Sequence, residues 1–212
     1  MITIEIIRSE KDWALLAKPW NELLSASITN TPFLRHEFMT AWWQHRGGGE
    51  WDTDELYILT GRTQDGELVG VLPLFLSKNH AEKPTFYLVG SIEIADILDM
   101  LASPEHLEEF ADAALAHLTH PDSPQWKSLE LVNLLEDSLS LPVWQAAAEK
   151  HGQATAAIVV KALIVRIGEL SYSSRTKSTR QKKKKCKDKS QKIPDCAVTA
   201  RIQLAGLHGT VN

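Results

Sequence analysis

Between Leu56 and Leu76 two apolar runs face each other across Thr63-Gln-Asp-Gly-Glu67, and this stretch restricts the fold more than any other. Asp65-Gly66 offers the positive-φ positions of a tight turn, and the flanking runs are long enough to pair, so a β-hairpin is predicted. Its second arm, Leu68 to Leu76, is apolar at nearly every position. Such a strand must be covered on both faces, which places it near the middle of a layered domain. Pro73 has no N–H to give to a ladder, so the sheet is expected to splay or bulge there.

Around the hairpin, strands alternate with helices. Ile2 to Ile7 reads as a strand, and Ser9 with Asp12 caps a helix that Pro19 should kink or divide. The turn-rich Ile28 to Pro32 leads to an aromatic helix carrying Phe33, Leu34, Phe38, Met39, Trp42 and Trp43, stopped by Gly47-Gly-Gly49. Thr85 to Val89 is a short strand ending at Gly90-Ser91. Ser103-Pro104-Glu105 starts a helix that runs to about Leu118. A strand over Trp126 to Leu134 and a helix over Ser138 to Lys150, closed by Gly152, complete the pattern. A sheet interleaved with helices is an α/β (α+β layered) domain.

Glu93, Asp96 and Asp99 recur at three-residue spacing, which on a turn or 3₁₀ segment puts three carboxylates on one side. So placed, they can receive an amine and take its proton. Short acids also cap local turns, and that reading stands beside the first. Trp42 and Trp43 likewise read as core packing or as the border of a groove.

These segments, in this order, resemble the CelD/FemAB-like GNAT acyltransferases over roughly residues 10 to 150. The resemblance is carried by Thr31-Pro-Phe-Leu34 with Ala41-Trp-Trp43, a hairpin ending in Leu72-Pro-Leu74, and Gly90-Ser91 with its spaced acids. It implies a GNAT-like mixed sheet with flanking helices, and acyl transfer from acyl-CoA or an aminoacyl carrier to an amine. Acyl-CoA would be a co-substrate rather than a tightly bound cofactor. The acceptor would be an amine-bearing small molecule or a cell-wall or polysaccharide precursor. Trp43, Glu93, Asp96 and Asp99 are the candidate substrate-binding residues. No residue stands out as the catalytic base. An Arg/Gln-x-x-Gly-x-Gly/Ala pyrophosphate loop is missing, as is a metal-ligand pattern among the eight histidines.

Beyond Gly152 the family pattern stops. Residues 1–150 carry 10 Lys/Arg against 24 Asp/Glu, and residues 151–212 carry 13 against 3, with all seven tryptophans in the first part. The family continues with a second half: a strand, a basic amphipathic helix, and further strands that help bind the donor. Here Ser171 to Lys192 contains Lys182-Lys-Lys-Lys185 and no aliphatic residue. Two domains are therefore expected: an acyltransferase N-terminal half over 1–152, and a basic tail over 153–212, poorly ordered or the product of a shifted reading frame. The chain by itself is then expected to be truncated and inactive. The alternative function is a non-catalytic domain whose tail binds nucleic acid or anionic surfaces non-specifically, since Arg175 to Lys192 sets ten basic residues against Asp188. Cys186 and Cys196 lack metal spacing and read as free thiols. No apolar run approaches the ~20 residues of a membrane span. The strand-like start, with its acid Glu5, is unlike a signal peptide, so a cytoplasmic location is expected.

Overall fold

The predicted hairpin is present as β2 (Glu55–Arg62) and β3 (Leu68–Lys78) in a computed structural model that describes residues 1–45, 54–79, 82–91, 94–158 and 197–203. Thr63 N donates to Glu67 O and Gly66 N to Thr63 O, both at 3.0 Å. Of the Asp-Gly pair only Gly66 takes a positive φ, +84°. β3 is buried from Leu68 through Phe75, as its composition demands.

The other strands are β1 (Thr3–Ile7), β4 (Pro84–Leu88), the two-residue β5 (Leu101–Ala102), β6 (Ser128–Leu135), β7 (Ala154–Ile158) and β8 (Ala197–Gln203). They form one sheet in the order β1-β2-β3-β4-β6-β8-β7, with β5 pairing β3. Every pair is antiparallel except β4 with β6. The chain reaches β6 from β4 by way of helix α4 (Leu107–Leu118), the crossover that a parallel pair requires.

β4 pairs with Leu74 to Lys78 of β3, and β5 pairs with Gly70 and Val71. They are two pieces of one line, broken opposite Leu72 and Pro73. The break has a chemical cause. In an antiparallel pair a residue's N–H and C=O point to the same neighbour. Pro73 O accepts from Val89 N at 2.8 Å, but Pro73 has no N–H to return, and β4 leaves the edge there.

Helices α1 (Glu10–Ala14), α2 (Ala17–Ala26) and α3 (His36–Gln44) pack together through the rings of Trp13, Trp20 and His36. Ser9 Oγ accepts from Asp12 N at 3.1 Å and caps α1. Pro19 sits in the first turn of α2, where its missing N–H leaves no intrahelical bond unmade, so it divides the helical stretch as expected. Trp42 and Trp43 of α3 pack on Phe75 with ring centroids 5.6 and 6.0 Å away, and Phe75 stacks on Tyr87 at 5.6 Å. On the other face Phe110 of α4 lies directly over Gly61 and Gly70. A Cβ at Gly70 would fall 2.3 Å from its ring, so both positions must lack a side chain for α4 to sit this close. Helix α5 (Ser140–Lys150) packs beside α4.

Three expectations change. Phe33 and Leu34, foreseen on the aromatic helix, lie in a separate 3₁₀ turn, Pro32–Leu34, that extended Arg35 divides from α3. The helix foreseen from Ser103 begins at Leu107, because His106 N bonds Ser103 O at 3.1 Å and closes a turn first. The sheet also continues past Gly152 into β7 and β8, where the sequence reading places no patterned strand pair. Ala154-Thr-Ala-Ala-Ile158 is too short and small-chained to show a pattern, and its partner β8 is remote in sequence. The basic run Lys182 to Lys185, Cys186, Cys196 and Gly47 to Gly49 lie outside the described residues.

Candidate functional site

The parallel pair β4 and β6 holds together for three rungs, Thr85 with Ser128, Phe86 with Leu129 and Tyr87 with Glu130. Beyond them β4 ends while β6 runs on to Leu135, so the strands part. After β4 the chain turns at Leu88 to Ser91, with Ser91 N on Leu88 O at 3.1 Å. Gly90 takes φ +103°, a conformation that side-chain-bearing residues rarely adopt. The excursion from Gly90 to Met100 then crosses to β6. Leu98 N donates to Asn133 O at 2.9 Å, and Asn133 Nδ2 donates to Ala95 O at 2.6 Å. Asn133 itself takes φ +60°, and the register of β6 against β8 shifts between Leu131 and Leu134. Ala95 and Leu98 are buried, and Leu98 lies against Gly90. The opening between the strands is therefore filled by the excursion.

Asp99 anchors this arrangement. It is completely buried, and Oδ2 accepts from Ser138 Oγ at 2.6 Å and Thr29 Oγ1 at 2.9 Å, while Oδ1 accepts from Met100 N at 2.8 Å. Ser140 Oγ lies 2.9 Å from Ser138 Oγ. The carboxylate thus joins the segment after α2, the excursion and the start of α5. Burial pushes the Asp99 carboxyl above the usual carboxylate range, against the opposing pull of the Ser138, Ser140, Thr29 and Met100 hydrogen bonds. Thr31 Oγ1 on Ile97 O at 3.4 Å adds a further tie.

The spacing argument for three carboxylates on one side does not hold for the two that are described. Asp96 is exposed and Asp99 is fully buried, because the segment has no helical repeat and Asp99 is drawn inward by its donors. Glu93 lies outside the described residues. Trp43 is buried against Phe75 and also borders a cavity of about 400 Å³ lined by Arg8, Glu10, Asp54, Glu55 and Leu56. The Arg8 guanidinium stands 4.7 Å over the Tyr57 ring. Tyr57 Oη meets His117 Nε2 at 3.2 Å, and burial, with His120 and Arg8 nearby, holds His117 below its ordinary value.

The roles of Thr29, Asn133, Ser138 and Ser140 in holding the excursion were not foreseen from the sequence. Only Asn133 carries a local sign, a polar residue in the alternation with Leu129 and Leu131. Among the described residues no cluster of His, Cys, Asp or Glu could hold a metal ion, and no helix is long and apolar enough to cross a membrane.

No protein-family model matches the sequence, and no curated protein matches it. Solved structures do. An N-acetyltransferase from Staphylococcus aureus Mu50 superposes with a TM-score of 0.48 at 8% identity, over 97% of this chain and 99% of that one. A diaminobutyrate acetyltransferase from Paenibacillus lautus, solved with its substrate and coenzyme A, gives 0.47 at 10% identity over 96% of each chain. A phosphinothricin acetyltransferase of the GNAT superfamily from Sinorhizobium meliloti, in complex with AcCoA, gives 0.46 at 14% identity over 100% of this chain and 93% of that one. At these identities and scores the likeness assigns neither a family nor an activity to this chain.

Proposed function

We propose that the chain is an N-acyltransferase domain of the GNAT type, of the CelD/FemAB-like kind, acting on a small-molecule or polymer-precursor amine in the cytoplasm. The observation that carries this reading is the parting of β4 and β6 after Tyr87 and Glu130. Two parallel strands that separate leave backbone N–H and C=O groups on facing edges. An extended thioester arm with amide groups can add to such an edge as a strand does. An N–H aimed at the thioester carbonyl then stabilises the oxyanion that forms there. In the reaction the amine nitrogen attacks that carbon, the C–S bond breaks, the sulfur leaves as thiolate, and the amine proton passes to a base.

As acceptor contacts, Asp96 is the solvent-reached acid of the excursion among the described residues, and Trp43 borders a separate cavity in which Glu10, Asp54 and Glu55 outnumber the one cation, Arg8. Glu93 is proposed as a further substrate-binding residue on the family resemblance alone. Asp99 acts by holding the excursion in place. The order of strand β7, basic run and strand β8 supports reading residues 153–212 as a donor-binding half, in place of the truncation expected from the sequence.

A second reading rests on the run Arg175 to Lys192, which would bind polyanions without specificity. Calorimetric titration of the full chain with acetyl-CoA at low and high salt separates the two. Binding that survives high salt, followed by thiol release when a diamine is added, is the expected result. Binding seen only at low salt, with no thiol release, would replace the acyltransferase reading with the polyanion one. Salt-resistant binding without thiol release would make the chain a donor-binding domain without transferase activity and overturn the acyltransferase reading.

A further inference from the structure

Ser91 is the first side chain after the Gly90 turn, at the point where β4 leaves β3 and parts from β6. It is completely buried, yet its hydroxyl has no hydrogen-bond partner. Every other buried serine or threonine hydroxyl among the described residues has one, including Thr85 with Ser128 at 2.9 Å and Ser138 with Asp99 at 2.6 Å. A buried hydroxyl that bonds nothing costs stability compared with alanine, so its place needs another reason.

We propose that Ser91 is a substrate-binding residue whose hydroxyl donates to the acyl carbonyl oxygen of a thioester lying between β4 and β6. The inference rests on the acyltransferase reading. The ligand reaches Ser91 by taking the place of Ala95 to Leu98 along β6. Its own amide groups replace the Leu98 N to Asn133 O bond and the Asn133 Nδ2 to Ala95 O bond. No bond to the serine oxygen forms or breaks. As the amine adds, negative charge grows on the carbonyl oxygen and the hydrogen bond from Ser91 strengthens, which speeds the step as well as holding the donor. The hydroxyl also distinguishes an acylated from a free carrier, because only the former has the carbonyl.

The test compares acetyl-CoA with free CoA as probes on the wild-type chain and on Ser91→Ala, by calorimetry, alongside thermal melting. The wild type should prefer acetyl-CoA. Ser91→Ala should bind acetyl-CoA about tenfold more weakly, bind CoA unchanged, and melt at the same temperature or higher. Equal weakening of both probes together with a lower melting temperature would show a structural role and overturn the inference. A variant that keeps the wild-type preference would overturn it while leaving the acyltransferase reading intact. A wild-type chain that binds neither probe at high salt would overturn both.

Discussion

From β1 to β3 the rungs run without a gap from Thr3 to Ile7 and from Glu55 to Gly61, whereas from β3 to β6 the pairing lasts a few rungs and then parts. Both regions are built of apolar strands packed between helices, so hydrophobic burial does not distinguish them. Backbone chemistry does. Opposite β2, Pro73 costs the sheet nothing visible. Opposite β4 it supplies a carbonyl and no N–H, and the ladder ends. Buried area holds both, and the interrupted region depends in addition on a few buried polar bonds centred on Asp99. The two should therefore fail in different ways.

The sharpest break of this contrast is Leu74→Asp. Leu74 is fully buried between Tyr57 and Leu88. A charge there has no partner, and its cost of several kcal/mol is comparable with the ~5–15 kcal/mol that keeps a domain folded. Calorimetry should show no cooperative transition, and an unchanged melting curve would put β3 at the surface.

Asp99→Asn should cost less, about 1–3 kcal/mol, because one amide oxygen cannot accept everything that Ser138, Thr29 and Met100 N donate to two carboxylate oxygens. Its pH dependence is more telling. The Asp99 carboxyl is raised by burial, so its favourable contribution is complete below the ordinary aspartate range and is lost as pH rises through the raised value. Asparagine does not titrate. The melting deficit of Asp99→Asn should accordingly shrink as pH rises from acid towards neutral; a deficit that grows would mean the folded chain prefers the ionised form.

The smallest effect should come from Asp112→Asn on α4. Lys150 first, at 2.8 Å, and then His151 at 2.9 Å hold the Asp112 carboxyl below its usual range. Here the contribution is present above the ordinary aspartate value and is lost as pH falls through the depressed one, opposite in sign to Asp99. The group is partly exposed and screened, so a loss of under ~1 kcal/mol that fades in high salt is expected in urea titrations. A larger loss would make this helix pair a second polar anchor.

Features whose cause is local in sequence were legible. The hairpin follows from its turn and two runs, the division of α1 from α2 from Pro19, and the break in the sheet from Pro73. The parallel partnership of β4 and β6 was not legible, because nothing in Thr85 to Tyr87 names Ser128 to Glu130 as its neighbour. The acid spacing at residues 93, 96 and 99 was visible, but solvent exposure depends on donors from Thr29 and Ser138, far away in the chain. Ser91 was noticed as part of a motif, and its idle hydroxyl emerged only with the burial of its surroundings.

The gap opposite Pro73 also bears on how such a domain can change over time. The chain leaves β3 at Val89 and returns at Leu101, opposite Val71, so the sheet itself keeps the two ends of the excursion together. Closing a loop whose ends are held grows costlier only with the logarithm of its length, about 0.6 kcal/mol per doubling. Residues can be gained or lost here, provided Asp99 keeps its donors, at little thermodynamic expense and without disturbing the hairpin. Most folds confine that freedom to their rim. This one has it at the centre of the sheet, where a change in length bears directly on what fits between the two strands.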